Sequence, residues 1–226
     1  ILVHEGPIAR AYLAALRAAN LRVERIILLV SSLRAGTKKP VAAWLPGKLR
    51  RRYAEWDQEA RLNYWPRKIS RDLPELQADI AANVAPELGF APAILDEMAG
   101  AMDYSLYASE VTKTLVHGLD DPDLATLLTR HAPGAILYTG GGMVPASLLS
   151  IPGLRFLHVH PGFLPYVRGA DCILWSRLVR GRLGASCFYM APKIDMGDLV
   201  CAHEFPASEF PFPKGKQPDD LTLYRA

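Results

Sequence analysis

Val23-Glu-Arg-Ile-Ile-Leu-Leu-Val30, preceded by Ile1-Leu-Val3 and by a helical pattern from Pro7 to Ala19, decides the fold. The aliphatic residues Ile26 to Val30 follow one another without polar alternation. A strand of that kind is covered on both faces, as in a parallel sheet flanked by helices. Between the two apolar runs, Pro7 suits a first helical turn, and Ala9, Leu13 and Leu16 recur at the helical period. The unit is therefore β-α-β. Ile26 to Val30 is also the longest aliphatic run of the chain. A bilayer-spanning helix needs about 20 apolar residues, so no membrane partner is expected.

Working outward, the same rhythm returns downstream. Asp121-Pro-Asp123 opens a helix through Arg130, with acidic residues favourable in its first turn. Ala135 to Tyr138 reads as a strand, Pro145 to Leu149 as a short helix, and Arg155 to Val159 as a strand. Ala170 to Val179 reads as a helix, and Ala185 to Tyr189 and Leu199 to His203 as further strands. Val111 to Leu115 is a short strand, and residues 38–98, rich in Trp, Arg and Pro, form a mainly helical insertion. Strands and helices alternating over short connections predict an α/β, Rossmann-like doubly wound fold with a mostly parallel sheet and a helical insertion.

Composition bounds the function. At 226 residues the chain fits one large domain, residues 1–226, and its formal charge of +3 is too small to argue for nucleic acid. One local exception is Lys48 to Arg71, which holds eight basic residues against three acids, with Tyr53, Trp56, Tyr64 and Trp65 interleaved. Such interleaving can mark a nucleic-acid surface. We read it instead as a solvated helical insertion whose aromatics pack on the body. The three cysteines, Cys172, Cys187 and Cys201, show no C-x-x-C spacing and are expected as reduced thiols of a cytoplasmic protein. A start on a strand and a close at Leu221-Thr-Leu-Tyr-Arg-Ala226, with the pattern of a helix's first turns, read as a piece of a longer chain.

The chemistry gathers at Leu157-His-Val-His-Pro-Gly-Phe-Leu-Pro-Tyr-Val-Arg-Gly-Ala170 and at Lys193-Ile-Asp-Met-Gly-Asp198. In a strand His158 and His160 point to the same side, and Pro161 cannot continue the ladder. Loops at the carboxyl ends of strands converge on the ligand crevice of an open α/β sheet, which would bring Asp195 to the histidines. Three readings stand side by side. His158, His160 and Asp195 form a three-ligand metal set, or one imidazole oriented by a carboxylate moves protons near neutral pH, or two satisfied histidines end a strand.

Residues 135–201 resemble the amino-terminal catalytic domain of the folate-dependent formyltransferases. That family's mark is a strand ending Asn-x-His-Pro-Ser-Leu-Leu-Pro, a Tyr-Arg-Gly-Ala type turn and helix, and an Asp-x-Gly-Asp/Pro loop before an apolar strand. The present residues are His158-Val-His160-Pro-Gly-Phe-Leu-Pro165-Tyr-Val-Arg168-Gly169-Ala170, Trp175 in the following helix, and Asp195-Met-Gly197-Asp198-Leu-Val200. The resemblance implies a formyltransferase-like catalytic domain over 1–226 and N-formyl transfer from 10-formyltetrahydrofolate to an amine or hydroxylamine of a small-molecule acceptor. It implies a catalytic role for His160 and Asp195, and places His158 where the family has its asparagine, as an oxyanion donor or modulator. Preorganised donors at a developing oxyanion are worth about 3–4 kcal/mol each.

Two loops match the family's pterin side. Gly141, Gly142, Met143 and Val144 belong to one, and Ala191 and Ile194 to the other. No metal is implied. Arg168 is expected to support its turn and Asp171 to cap the next helix. The turn His4-Glu5-Gly6-Pro7 lacks the phosphate-holding character of the glycinamide ribonucleotide branch, since Glu5 repels phosphate and Pro7 has no N–H. The alternatives to transfer are hydrolysis of a formyl donor and a non-catalytic binding protein on the same scaffold.

Overall fold

The structure, a computed structural model, describes residues 1–206 except 35, 88, 92, 93 and 101, with side chains other than those of 65, 66, 69, 84, 87, 94, 95 and 99. The helix-start pattern at Leu221 to Ala226 lies outside the described residues.

The chain begins with β1 (Leu2–His4), α1 (Pro7–Ala18) and β2 (Val23–Ser31). Helices then follow as α2 (Gly47–Leu62), α3 (Tyr64–Asp72), α4 (Pro74–Asp79), a π turn at Ile80–Val84, α5 (Ala85–Glu87) and α6 (Ile94–Ala99). After a 3-10 turn at Tyr104–Leu106 come β3 (Ala108–Val116), α7 (Pro122–Thr129), β4 (Gly134–Leu137), α8 (Ala146–Leu149) and β5 (Leu154–His160). The described part ends with α9 (Cys172–Arg180), β6 (Arg182–Tyr189) and β7 (Leu199–Pro206).

β1, β2 and β3 pair in parallel in the order β1-β2-β3, and β4-β5-β6-β7 form a second ladder. A parallel bridge between Leu2 and Tyr138 and a 3.2 Å bond from Thr139 N–H to the Leu2 carbonyl join the two between β1 and β4. From β1 the chain moves outward through β2 and β3 and returns to β4 on the other side of β1. That reversal is the topological switch point at which such sheets bind ligands.

β2 explains the doubly covered sheet. Ile26, Leu28 and Val30 are buried with Val3, Ala9, Leu13 and Ala54, on the side of α1 and α2. Ile27 and Leu29 are buried with Leu2, Leu124, Leu128, Leu148 and Phe156, on the side of α7 and α8. Each such side chain removed from water contributes about 1.5–3 kcal/mol, so the uninterrupted aliphatic run anchors both layers. Asp121 caps α7 by accepting from the Asp123 N–H at 2.9 Å.

The structure differs from the sequence reading in several places. β3 and β6 are longer than expected, and β6 and β7 run antiparallel to their neighbours. A helix-free connection between β6 and β7 is too short to cross over for parallel pairing. In the insertion, Tyr53, Trp56 and Tyr64 are exposed rather than packed on the body; Tyr53 and Trp56 lean on each other, ring centroids 5.6 Å apart. Its charges are paired instead, Arg61 with Asp57, Arg67 with Glu59, and Lys68 and Arg71 with Asp72. These exposed pairs add only a few tenths of a kcal/mol each; the segment meets the body through buried Ala54, Gln58, Asn63 and Leu76.

Candidate active site

β5 sets the site by period two. The rings of His158 and His160 both meet the edge of Phe188, at 6.0 and 6.5 Å between centroids, whereas Val159 faces the other way, opposite Cys187. His160 is buried and His158 half-buried. A carbonyl oxygen only accepts, so each histidine's hydrogen can be placed. His158 Nδ1 lies 3.0 Å from the Tyr138 carbonyl and donates to it. His160 Nε2 lies 3.0 Å from the Val167 carbonyl and 3.3 Å from Cys172 Sγ, so its hydrogen sits on Nε2. The Cys172 thiol lies 3.2 Å from the Gly169 carbonyl, to which it donates.

That assignment leaves His160 Nδ1 facing Asp195 Oδ2 at 3.6 Å, inside ion-pair range but beyond a hydrogen bond. A neutral imidazole presents only a lone pair there. The pair therefore has room for one proton. Asp195 is fixed through the same oxygen, because Oδ2 accepts from the Gly169 N–H at 2.7 Å. One carboxylate thus ties the Arg168-Gly169 turn to the histidine.

Local sequence explains how the loops fit. Gly162 lies against the His160 ring, and a Cβ there would stand 2.7 Å from both His160 Nε2 and the Val167 carbonyl. Ser186 Oγ accepts from the Leu164 N–H at 2.9 Å and donates to the Gly162 carbonyl at 2.7 Å, which pins the turn after β5 to β6. Asp195 does not arrive from the carboxyl end of a parallel strand. β6 runs against β5, pairing Ser186 with His160 and Tyr189 with Leu157, so the β6–β7 loop starts three rungs below His160. It must climb about 10 Å back along the sheet for its aspartate to reach the ring. Gly197 permits this fold-back: a Cβ there would lie 1.6 Å from the Tyr189 carbonyl oxygen.

Electrostatics separate the groups. Burial, helped by the neighbouring His160, pushes the His158 pKa down, against the Tyr138 carbonyl and Asp195. Near neutral pH the ring is therefore uncharged, and its single N–H is already given to Tyr138. In this arrangement a neutral His158 offers Nε2 as an acceptor. Burial, with Asp195 and Asp171, pushes the Cys172 thiol up, which keeps it a thiol.

The residues expected on the pterin side divide. Gly141 and Gly142 are exposed, Gly142 with φ of 84°, and Gly141 accepts from the Tyr138 hydroxyl at 3.1 Å. Met143 and Ile194 are exposed apolar side chains, and Ala191 is half-buried. Val144 is instead a core residue packed with Leu148 and Phe156, so its side chain is unavailable to a ligand. At the switch point, His4, Ser31, Gly118, Leu119, Tyr138 and Gly141 line a cavity of about 200 Å³. Arg168 is exposed and enters no described bond, so the turn is held by Asp195 instead. Asp171, in the left-handed region at φ of 54°, makes no side-chain cap to α9. Among the described residues no group of three or more His, Cys, Asp or Glu side chains could hold a metal ion.

Sequence reasoning missed Cys172, Tyr138 and Ser186. Each acts through a carbonyl or a ring brought in from another element, and no spacing encodes that. Gly162 was legible only as a breaker after Pro161, not as the space that the His160 ring needs.

No family model matches the chain. Curated relatives do: the methionyl-tRNA formyltransferase of Syntrophus aciditrophicus is 35% identical over 92 residues, 39% of this chain and 29% of that protein. Those of Geobacillus thermodenitrificans and Deinococcus radiodurans are 30% and 33% identical over 93 and 84 residues, covering 28% and 26% of their lengths. The matches thus span less than a third of these relatives' own length. Among solved structures, phosphoribosylglycinamide formyltransferase from Streptococcus pneumoniae superposes over 99% of this chain and 88% of its own, with a TM-score of 0.47 and 14% identity. HypX from Aquifex aeolicus in complex with tetrahydrofolic acid covers 44% of this chain and 17% of its own, with a TM-score of 0.35 and 24% identity. Over about two fifths of its length, the chain is similar in sequence to methionyl-tRNA formyltransferases.

Proposed function

We propose that this chain transfers a formyl group from 10-formyltetrahydrofolate to the nitrogen of an amine, with His160 and Asp195 as the catalytic pair. The observation that carries the reading is the 3.6 Å approach of His160 Nδ1 to Asp195 Oδ2, with the other ring nitrogen already committed to Val167. As the amine nitrogen bonds to the formyl carbon, its proton finds its place at Nδ1, where Asp195 stabilises the imidazolium. The formyl C–N10 bond then breaks and the proton passes to N10 of the departing tetrahydrofolate. Geometric control comes from Gly162, Cys172 and the Val167 carbonyl, which surround Nε2.

The loops fit the formyl donor. Exposed Gly141 and Gly142 offer backbone groups without side-chain hindrance, and exposed Met143 and Ile194 offer apolar surface to a flat heteroaromatic ring. Bound there, 10-formyltetrahydrofolate would supply the formyl carbon. Ala191 belongs to the same side, whereas Val144 contributes only as the anchor of its loop.

The acceptor is a small amine or hydroxylamine. Supporting this, the cavity at the switch point is about 200 Å³ and combines Leu29, Val116 and Leu119 with the polar groups of His4, Ser31 and Tyr138, without a lysine or arginine for a phosphate. Burial lowers the His4 pKa, so that side chain is neutral near pH 7. His158, with Nε2 as an acceptor, suits orientation of an amine N–H.

The test is depletion of 10-formyltetrahydrofolate against a panel of amines, hydroxylamines and methionyl-tRNA, with folate binding followed by calorimetry. Formylated small amine supports the reading, and formylated methionyl-tRNA alone would move the acceptor to the class for which the relatives are named. Formate released without acceptor would identify a hydrolase. Folate bound without turnover would identify a binding protein, and neither binding nor turnover would end the proposal.

A further inference from the structure

On the face of the sheet opposite the histidines, two thiols stand side by side. Cys187 of β6 and Cys201 of β7 are direct cross-strand partners, and both are free. Opposed Cα atoms of an antiparallel pair are about 4.5 or 5.5 Å apart, depending on the hydrogen-bonding register. Either spacing falls within the roughly 4.4–6.8 Å that a disulfide bridges, and opposed side chains leave the sheet on the same face. Burial, followed by the Cys201 thiol beside it, pushes the Cys187 pKa up. Cys201 is exposed and Cys187 half-buried.

Their place in the fold gives the pair a consequence. One rung separates it from the β6–β7 loop, since Phe188 pairs with Leu199, and a register irregularity lies between Cys187 and Phe188. Such irregularities leave a residue unpaired and weaken the ladder locally. Asp195 is carried by that same loop, so the hinge of the aspartate is the weak end of a hairpin with a thiol on each strand.

We propose that Cys187 and Cys201 are a thiol–disulfide modification site, closed by hydroperoxides, that clips the base of the Asp195 loop. The exposed Cys201 thiolate attacks the peroxide O–O bond and becomes a sulfenic acid as hydroxide departs. The Cys187 thiolate then displaces hydroxide from the sulfenic sulfur and the S–S bond forms. Two thiols lose two electrons and two protons, and one hydrogen peroxide becomes two waters. Cys172 takes no part, being buried and committed to His160 and Gly169.

The experiment treats the chain with hydrogen peroxide and maps its disulfides by mass spectrometry. The expected result is a loss of two hydrogens in intact mass, a fall from three titratable thiols to one, and a single Cys187–Cys201 cross-linked peptide restored by dithiothreitol. Cys187→Ser should instead accumulate a sulfenic acid at Cys201 that dimedone traps. Hydrogen exchange across 190–198 should slow on oxidation. A cross-link through Cys172, dimers only, or three thiols persisting where peroxide has consumed free glutathione would each overturn it. Because the readouts are mass and exchange, this site stands or falls independently of formyl transfer.

Discussion

Among the described residues, the cluster around Arg10 and the cluster around His160 are finished to different degrees. Arg10, 1% exposed, gives Nε to Glu5 at 2.7 Å, Nη2 to Glu59 at 3.0 Å, and Nη1 to the carbonyls of Met98 at 2.9 Å and Gly100 at 2.6 Å. Asn63 adds a donor to the same Glu5 oxygen at 3.3 Å. The guanidinium thereby ties α1 to the helical insertion, and the cluster needs nothing more. Around His160, Nε2 is committed to the Val167 carbonyl and Cys172, whereas Nδ1 stands 3.6 Å from Asp195 Oδ2, beyond a hydrogen bond. The first cluster is closed by hydrogen bonds; the second, in the reading proposed above, is where a proton would be taken up.

The contrast predicts where function and stability separate. Replacing His160 by Ala, or Asp195 by Asn, should lower formyl transfer by about 10²–10⁴-fold, the usual worth of a positioned acid–base group. Thermal denaturation should move little for Asp195→Asn; equal losses of activity and folding would put the pair on the structural side. Arg10→Met should do the reverse. It strands Glu5 in the interior, and urea titration should show a loss of about 3–5 kcal/mol, with the residual folded protein still active.

Gly162→Ala sharpens the comparison by shifting one ring. The added methyl would meet His160 Nε2 and the Val167 carbonyl at 2.7 Å. A displacement on the order of 1 Å in a catalytic group costs about 100-fold, so kcat should fall by that order while folate binding holds. Unchanged kcat would show that the ring's placement is not critical.

The smallest effect is one of pH. The folded-state pKa of His158 lies below the ordinary 6.5, so beneath that value the unfolded chain binds a proton the folded chain refuses. Stability is therefore kept above pH 6.5 and lost as pH falls through the window below it. His158→Asn should flatten that slope in denaturant midpoints measured from pH 7 downward, leaving the share of His4, whose pKa is also lowered. A slope identical to the parent's would remove His158 from the account.

Much of this was legible in residues. The uninterrupted Ile26–Val30 run announced a doubly covered sheet, since a strand exposed on one face would alternate. His-x-His before Pro161 announced two rings on one face, because strand side chains repeat every two residues. Less legible was the direction of β6 and β7. An apolar pattern is the same read in either direction, and pairing is decided by what lies alongside. The aromatics of the insertion were misread for a related reason: helical periodicity tells which residues share a face, not whether another element covers it.

By itself the sequence determined which residues could meet: the strand periods, the breakers Pro161 and Gly162, and the aspartate held in a loop before an apolar strand. Only the tertiary structure decided which atoms do meet. The hydrogen of His160 sits on Nε2 because the Val167 carbonyl and Cys172 stand there, and His158 cannot donate outward because Tyr138 takes its N–H. Protonation and tautomer belong to the neighbours of a ring rather than to the ring, and those neighbours are set by packing between strands far apart in the chain.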